Sequence, residues 1–459
     1  MRIMTDGLTR SCSFDSSFEQ VEFPPRDPVS TIASSKPEDV VIGRSSKCLT
    51  RCRFDSLFEE DGRLVNEHKL RELVFSGGIS PDLRSDVWPF LFGLFPCTST
   101  PRERQVLKAE YRVRYMALKE RWKEELSQRE DCQGLLNPTY IRYPDNHDDN
   151  QRSNMPDDIK QQVEFMKIQA KVYAGRHEFH IEDLKKAMRT INKDVPRTDR
   201  DIPYFSGDNP NLTVLRDILV TFSAFNPHVG YAQGMNDIVS RFLVVFDSEV
   251  EAYWCFTKYM ENVQEEFTEH GMLDKIVLVQ QLLTELDPVL HKYLAHCEMG
   301  DLMFCHRWLL LSFKREFAFE DSLKCFEILC SHHLELSSME AEKARDSERR
   351  RDFEKQGGKV RIEESPYNPS YTFELFLCVA VLVENRKKIF KCTDGVEIFQ
   401  FINSLTMKLN IDAMLSKAET LFLKYCRKSV IDCFQVVDPP TPEPNKGAVH
   451  FKVKAAHVH

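Results

Sequence analysis

Ile181, Leu184, Met188 and Ile191 recur at steps of three and four residues, the spacing that gathers side chains on one face of an α-helix. The same spacing returns along most of the chain. Leu70, Leu73 and Val74 carry it first, and Gly77-Gly78 marks the stop. Pro81 stands at an early turn of a second helix that runs through Arg84, Val87 and Trp88. Residues 102–127 form a long charged helix with Tyr111, Tyr115, Leu118 and Trp122 on one stripe. Leu212, Leu215, Ile218, Leu219 and Phe222 mark another, closed by Asn226-Pro227. Further helices are predicted over residues 159–175, 231–246, 250–264, 274–286, 302–314, 319–332, 372–385, 396–405 and 414–425. Only 17 of 459 residues are glycine, which suits helices better than a turn-rich β protein, so the expected fold class is all-α.

The periodicity fails in four places. Residues 1–50 are rich in Ser, Pro, Asp and Thr and read as a disordered tail, with a helical lead-in over 51–76. Residues 128–158 carry Asn137-Pro, Tyr143-Pro and Met155-Pro and read as a loop or insertion. Residues 337–370 are almost all charge, with Arg349-Arg-Arg351, and read as a solvated helix and loop rather than a binding site. Residues 431–459 contain Pro439-Pro-Thr-Pro and read as a flexible tail.

Composition removes several function classes. The formal net charge of −9 argues against bulk binding to nucleic-acid phosphates. No stretch reaches the roughly 18–20 apolar residues needed to span a bilayer; the best run, 373–383, is short and contains Glu374. The N-terminus shows no signal-peptide pattern, so a cytoplasmic chain is expected. Its 14 cysteines are scattered, and Cys255, Cys305, Cys325, Cys330 and Cys378 lie in apolar stretches, as reduced core residues do. Cys48 and Cys52 lack a second pair at zinc-site spacing, so no metal site is expected. There is no Gly-x-Ser-x-Gly elbow, phosphate-binding loop or His-Glu-x-x-His, which argues against an enzyme with its own substrate pocket.

Two short segments carry chemistry: Ile191-Asn-Lys-Asp194-Val-Pro-Arg197-Thr198 and Tyr231-Ala-Gln233-Gly234-Met235. The residue before Pro196 is pushed out of the α region, so Arg197 leaves the helix on a loop. A guanidinium there can grip phosphate oxygens through two donors, and Asp194 can hold it in place. The Gln233 amide can donate to one oxygen while accepting from a water, and Gly234 lets another backbone approach closely. GTP hydrolysis needs both services, positive charge on the phosphoryl group and an oriented water. Taken singly, each has a simpler reading: a surface arginine paired with Asp194 or Asp199, and an ordinary glutamine at a helix start.

Together, in order and at this separation, the segments resemble those of the TBC (Tre-2/Bub2/Cdc16) family of Rab GTPase-activating proteins. There the first reads Ile-x-x-Asp-x-x-Arg-Thr and the second Tyr-x-Gln-Gly-Met. Gly78-Ile-Ser-Pro-Asp-Leu-Arg84-Ser-Asp-Val-Trp88 resembles the family's opening, and the stretches around Arg307-Trp308 and Phe313-Lys-Arg315-Glu316-Phe317 its later core. The resemblance covers residues 77–430 and implies two packed helical subdomains. It implies Arg197 as an arginine finger and Gln233 as a glutamine supplied in trans, with Asp194, Thr198, Tyr231, Gly234, Met235, Arg84 and Trp88 in support. Arg84, Trp88, Arg307 and Trp308 are expected to be mainly structural. The implied partner is a GTP-bound Rab GTPase that carries the GTP and Mg²⁺, so the chain needs no cofactor and activates an enzyme rather than being one. A membrane-recruiting adaptor, and peripheral residence on endosomal, autophagic or other vesicle membranes, are further implications. The alternative is a Rab-binding adaptor without activity. One departure stands beside the second segment: many members continue with Ser-Pro-Leu where this chain has Ser240-Arg241-Phe242. Without that proline the helix is expected to run on unbroken, with altered partner contacts nearby.

Overall fold

A computed structural model describes residues 47–135, 157–207, 209–355, 361–362, 367–431 and 434–435. Among these, eighteen α-helices follow one another, with one antiparallel pair of two-residue strands, Arg361–Ile362 and Phe434–Gln435. Helices α1 (Arg51–Asp55) and α2 (Glu67–Gly77) lead into α3 (Arg84–Leu91). Asn66 caps α2 by accepting from the Lys69 N–H, and Gly78, at φ 74°, ends it. Helix α4 (Pro101–Ser127) starts at a reciprocal capping box between Thr100 and Glu103. Helix α5 (Asp157–Gly175) packs along it. Helices α6 (Ile181–Asp194), α7 (Asn211–Phe225), α8 (Met235–Phe246) and α9 (Glu249–Val263) complete the first half.

The second half runs through α10 (Glu269–Leu286), α11 (Pro288–His296), α12 (His306–Leu310), α13 (Phe319–Leu329) and α14 (Met339–Lys355). It closes with α15 (Phe373–Glu384), α16 (Arg386–Ile389), α17 (Gly395–Ser404) and α18 (Ile411–Ile431). Helix α15 is apolar all round because it is buried all round, between α10 and α18.

Buried side chains form two separate cores. Trp88, Trp122, Phe222, Phe242 and Phe256 belong to one, and Trp308, Phe313, Phe376, Leu377 and Phe422 to the other. Burying each such side chain contributes about 1.5–3 kcal/mol. Helix α13 serves both, with Leu323 and Phe326 in the first core and Cys325 and Ile328 in the second. Glu327, on the same helix, is completely buried. It accepts from the Ile79 N–H at 2.6 Å, Arg84 Nε at 3.0 Å and Trp88 Nε1 at 3.3 Å. Arg84 and Trp88 thus clasp the chain's opening segment to α13.

Four expectations need correction. The stretch 302–314 is not one helix. A 3₁₀ turn leads into α12, which ends in a cap with the Phe313 N–H on the Trp308 carbonyl at 2.7 Å and the Ser312 N–H on the Leu309 carbonyl at 3.1 Å. Ser312 (φ 44°) and Phe313 (φ 59°) are both left-handed, with no glycine to announce it. The charged stretch from 337 is not simply solvated: α14 packs on α18, and Arg345 is fully buried, donating to the Leu336 carbonyl and lying 4.4 Å from the Tyr367 ring centroid. The helix expected from residue 231 begins only at Met235. Leu49, placed by composition in the tail, is buried and exchanges backbone hydrogen bonds with Gly78 and Ser80. The rest of the two predicted tails, up to residue 46 and from 436, and residues 136–156 of the first insertion lie outside the described residues. Cys255, Cys305, Cys325, Cys330 and Cys378 are all buried, as expected of core residues. No described helix is long and apolar enough to cross a membrane.

Candidate functional site

Helix α6 ends at Asp194, and a 3₁₀ turn, Val195–Arg197, carries the chain away from it. Arg197 is left with 61% of its side chain exposed. Its Nη2 donates to Asp194 Oδ1 at 2.6 Å, the pairing that the simpler sequence reading anticipated. Asp194 is buried, and its second oxygen, Oδ2, accepts from the Tyr231 hydroxyl at 2.8 Å. Burial, then the Asp194 charge, pushes the Tyr231 phenol far above its usual range, so it stays a donor at any working pH. This bond joins the two motif segments directly.

A second link lies beneath it. Asn236 is buried in the first turn of α8 and donates from Nδ2 to Thr198 Oγ1 at 2.9 Å. Its Oδ1 accepts from the Gly234 N–H at 3.2 Å and lies 3.1 Å from the Tyr231 hydroxyl, whose single proton goes to the closer, charged Asp194. Thr198 Oγ1 in turn donates to the Asp194 carbonyl at 2.9 Å. Asp194, Thr198 and Tyr231 therefore each have a partner within the motif. Sequence reasoning missed Asn236; its position directly after Met235 was the available signal.

Gln233 is exposed on the turn before α8 rather than within its first helical turn. Gly234 is the reason. It holds φ 109°, which a side chain tolerates poorly, and a Cβ there would meet Leu311 Cδ2 at 3.1 Å and Leu310 Cδ2 at 3.3 Å. Met235 is fully buried, and its sulfur accepts from the Ala232 N–H at 3.4 Å, tightening the same turn.

The segment Leu310–Arg315, from the second half of the chain, underlies both turns. Lys314, 3% exposed along its side chain, donates to Asp199 Oδ2 at 2.5 Å, Asp237 Oδ1 at 3.0 Å and Ser240 Oγ at 2.8 Å. One ammonium thus holds the residue two places after Arg197 and the first turn of the helix that follows Gln233. Burial pushes the Asp237 carboxyl up, but Lys314 and Arg315 outweigh it and hold it below its usual value. Sequence reasoning quoted the stretch around Lys314 but assigned the lysine no role, since its three partners lie far away in sequence.

Helix α8 does run unbroken through Ser240-Arg241-Phe242. Arg241, however, does not face a partner. It is fully buried, donates to the Leu311 carbonyl and lies 4.5 Å from the Phe326 ring centroid. Arg84 and Trp88 sit apart from the two turns, in the Glu327 clasp, although the Trp88 ring packs 5.6 Å from Phe242 under α8. Arg307 bonds Glu316, Asn403 and Thr406, and Trp308 is buried in the second core.

What the site presents is a guanidinium and a carboxamide, both exposed, on two turns stitched together from below. Comparison with known proteins bears on the family and the fold. The profile of the Rab-GTPase-TBC domain matches residues 81–339. The chain is 30% identical over 365 residues to TBC1 domain family member 17 of Homo sapiens, covering 79% of this chain and 44% of that protein. It is 28% identical over 394 residues to GTPase-activating protein GYP7 of Candida glabrata, covering 82% of this chain and 43% of that one. It therefore spans less than half the length of these relatives. The crystal structure of the Ypt/Rab-GAP domain of Gyp1p superposes with a TM-score of 0.54 at 17% identity, over 82% of this chain and 97% of that domain, which shows a shared fold. With its two helical cores and a profile match over more than half its length, the chain belongs to the Rab-GTPase-TBC domain family.

Proposed function

We propose that this chain is a GTPase-activating protein for one or more GTP-bound Rab GTPases. The observation that carries the reading is the pair of bonds between the two segments, Tyr231 to Asp194 and Asn236 to Thr198, which holds the Arg197 turn and the Gln233 turn as one unit. GTP and Mg²⁺ arrive with the Rab. Arg197 swings from Asp194 to the transferred phosphoryl group and neutralises the charge that develops there. Gln233 orients the attacking water. An arginine finger of this kind contributes about 10³–10⁵-fold in rate. Electrostatic help of this type works only where donors are already in place, which gives the network beneath the two turns its purpose. Because Rab GTPases work on membranes, the reading carries with it peripheral recruitment to endosomal, autophagic or other vesicle membranes, by the Rab or by an adaptor protein.

The test is single-turnover GTP hydrolysis across a panel of purified Rab proteins, with the chain as it stands and with Arg197→Ala and Gln233→Ala. Acceleration of a few Rabs, abolished by Arg197→Ala and strongly reduced by Gln233→Ala, is expected. Binding without acceleration would make the chain a Rab-binding adaptor instead. Acceleration that survives Arg197→Ala would place the finger elsewhere.

A further inference from the structure

Three segments far apart in sequence bring His68, His333 and Glu340 together. His68 lies on α2, His333 follows α13, and Glu340 opens the charged helix α14. One ligand atom from each lies within 4.8 Å of the others. Glu340 Oε1 is 3.7 Å from His68 Nε2, and Glu340 Oε2 is 3.7 Å from His333 Nε2. Hydrogen bonds would draw these atoms to about 2.7–3.2 Å. Ligand atoms on a tetrahedral zinc, with bonds of about 2.0–2.2 Å, stand about 3.3–3.6 Å apart, so a small inward turn of the three side chains, whose ligand atoms lie within 4.8 Å of one another, would seat an ion between them.

Burial makes that spacing informative. His333 is 3% exposed, and both Glu340 Oε2 and His333 Nδ1 are buried without a hydrogen-bond partner among the described residues. Two imidazoles face one carboxylate, and no donor satisfies its inner oxygen. The remaining charges nearby do not supply one. Lys343 Nζ stands 4.0 Å from the other oxygen, Oε1, on a side chain 72% exposed. Glu72, one helical turn after His68, bonds Lys69 at 2.8 Å and acts on both imidazoles electrostatically.

We propose that His68, His333 and Glu340 form a three-ligand site for a divalent transition metal, zinc by its donor set. Two imidazole nitrogens and one carboxylate suit zinc rather than calcium or magnesium, which prefer all-oxygen shells. The fourth position falls to water. Bound there, the ion ties α2, the segment after α13 and the first turn of α14 to one another, and so anchors the charged helix to the rest of the fold. The site stands independently of any Rab activity. Its three ligands form no compact motif, and the search for paired cysteines could not find it.

The experiment uses the full chain, stripped with a chelator and titrated with Zn²⁺ by calorimetry and with Co²⁺ by absorption. About one equivalent is expected to bind, with visible d–d bands, no near-ultraviolet thiolate charge-transfer band, and a rise of a few degrees in the melting temperature. His68→Ala and Glu340→Gln, both at partly exposed positions, should abolish these signals while the far-ultraviolet circular dichroism stays unchanged. Three results would overturn the proposal: no binding at micromolar metal, binding that survives both substitutions, or a thiolate charge-transfer band, which would place the ion on cysteines.

Discussion

Lys314→Met tests whether the second half of the chain braces the two motif turns. Methionine keeps nearly the volume of lysine and removes the charge. All three ammonium protons are committed, to Asp199, Asp237 and Ser240. After the change Asp237 keeps only Arg315, at 2.9 Å, whose side chain is 56% exposed, while Asp237 itself stays buried. Removing one partner of a buried ion pair costs about 3–5 kcal/mol, because the remaining charge is left in a poor dielectric. The loss should depend on pH with a definite sign. The folded-state carboxyl of Asp237 lies below its unfolded value, so its stabilisation is full above the ordinary aspartate range and disappears as pH falls through the folded value. Guanidinium unfolding followed by tryptophan fluorescence should therefore show the full loss at pH 7 and a loss that shrinks as pH falls below the ordinary aspartate range. Lys314→Met combined with Asp237→Asn should recover part of it, since the second change removes the stranded charge. A loss under about 1 kcal/mol at pH 7, or a double variant no more stable than the single one, would refute the view that this ammonium is the brace.

Other consequences follow from the same contacts. Tyr231→Phe removes the hydroxyl between the segments and strands Asp194 Oδ2, a loss of about 1.5–3 kcal/mol; GTP hydrolysis on a responsive Rab should slow at least about tenfold with Rab binding retained, and an unchanged rate would sink the preorganisation argument. Gly234→Ala forces a side chain into φ 109° and against Leu311, at about 1–3 kcal/mol, and should lower the melting temperature; an unaltered melting curve would mean the turn relaxes freely. Partial burial pushes the Glu374 carboxyl up to about 7, even with Lys275 beside it at 2.5 Å. The folded state then binds the proton more tightly than the unfolded one, so this group makes stability fall as pH rises from about 4.5 to about 7. Glu374→Gln should flatten that interval, and a profile identical to that of the unsubstituted chain would show that Lys275 keeps the carboxylate charged throughout.

The helices were legible because amphipathic periodicity is local: α6 and α7 fall where Ile181–Ile191 and Leu212–Phe222 place them. The two motif segments were legible because their residue types are unusual in combination. The bed beneath them was not, and the reason is physical. A left-handed helix cap is normally advertised by glycine, but here Ser312 and Phe313 adopt it, so the pattern over 302–314 reads as continuous helix. Two consecutive left-handed residues without glycine cost on the order of 1–3 kcal/mol each and persist only where surrounding contacts demand them. The contacts here are specific. Ending α12 at Leu310 leaves the Leu311 carbonyl to accept from Arg241, sets the Leu310 and Leu311 side chains against Gly234, and brings Lys314 under Asp199 and Asp237. Each partner lies some seventy or more residues away in sequence, beyond any window in which periodicity speaks. Arg241 makes the point most sharply. Read alone, a charged residue in place of proline suggests a surface altered for a different partner. Placed in the fold, it is an internal strut, coupling α8 to the strained turn through the Leu311 carbonyl and the Phe326 ring. Arg241 thus supports the site from within the fold, while Arg197 and Gln233 stay exposed.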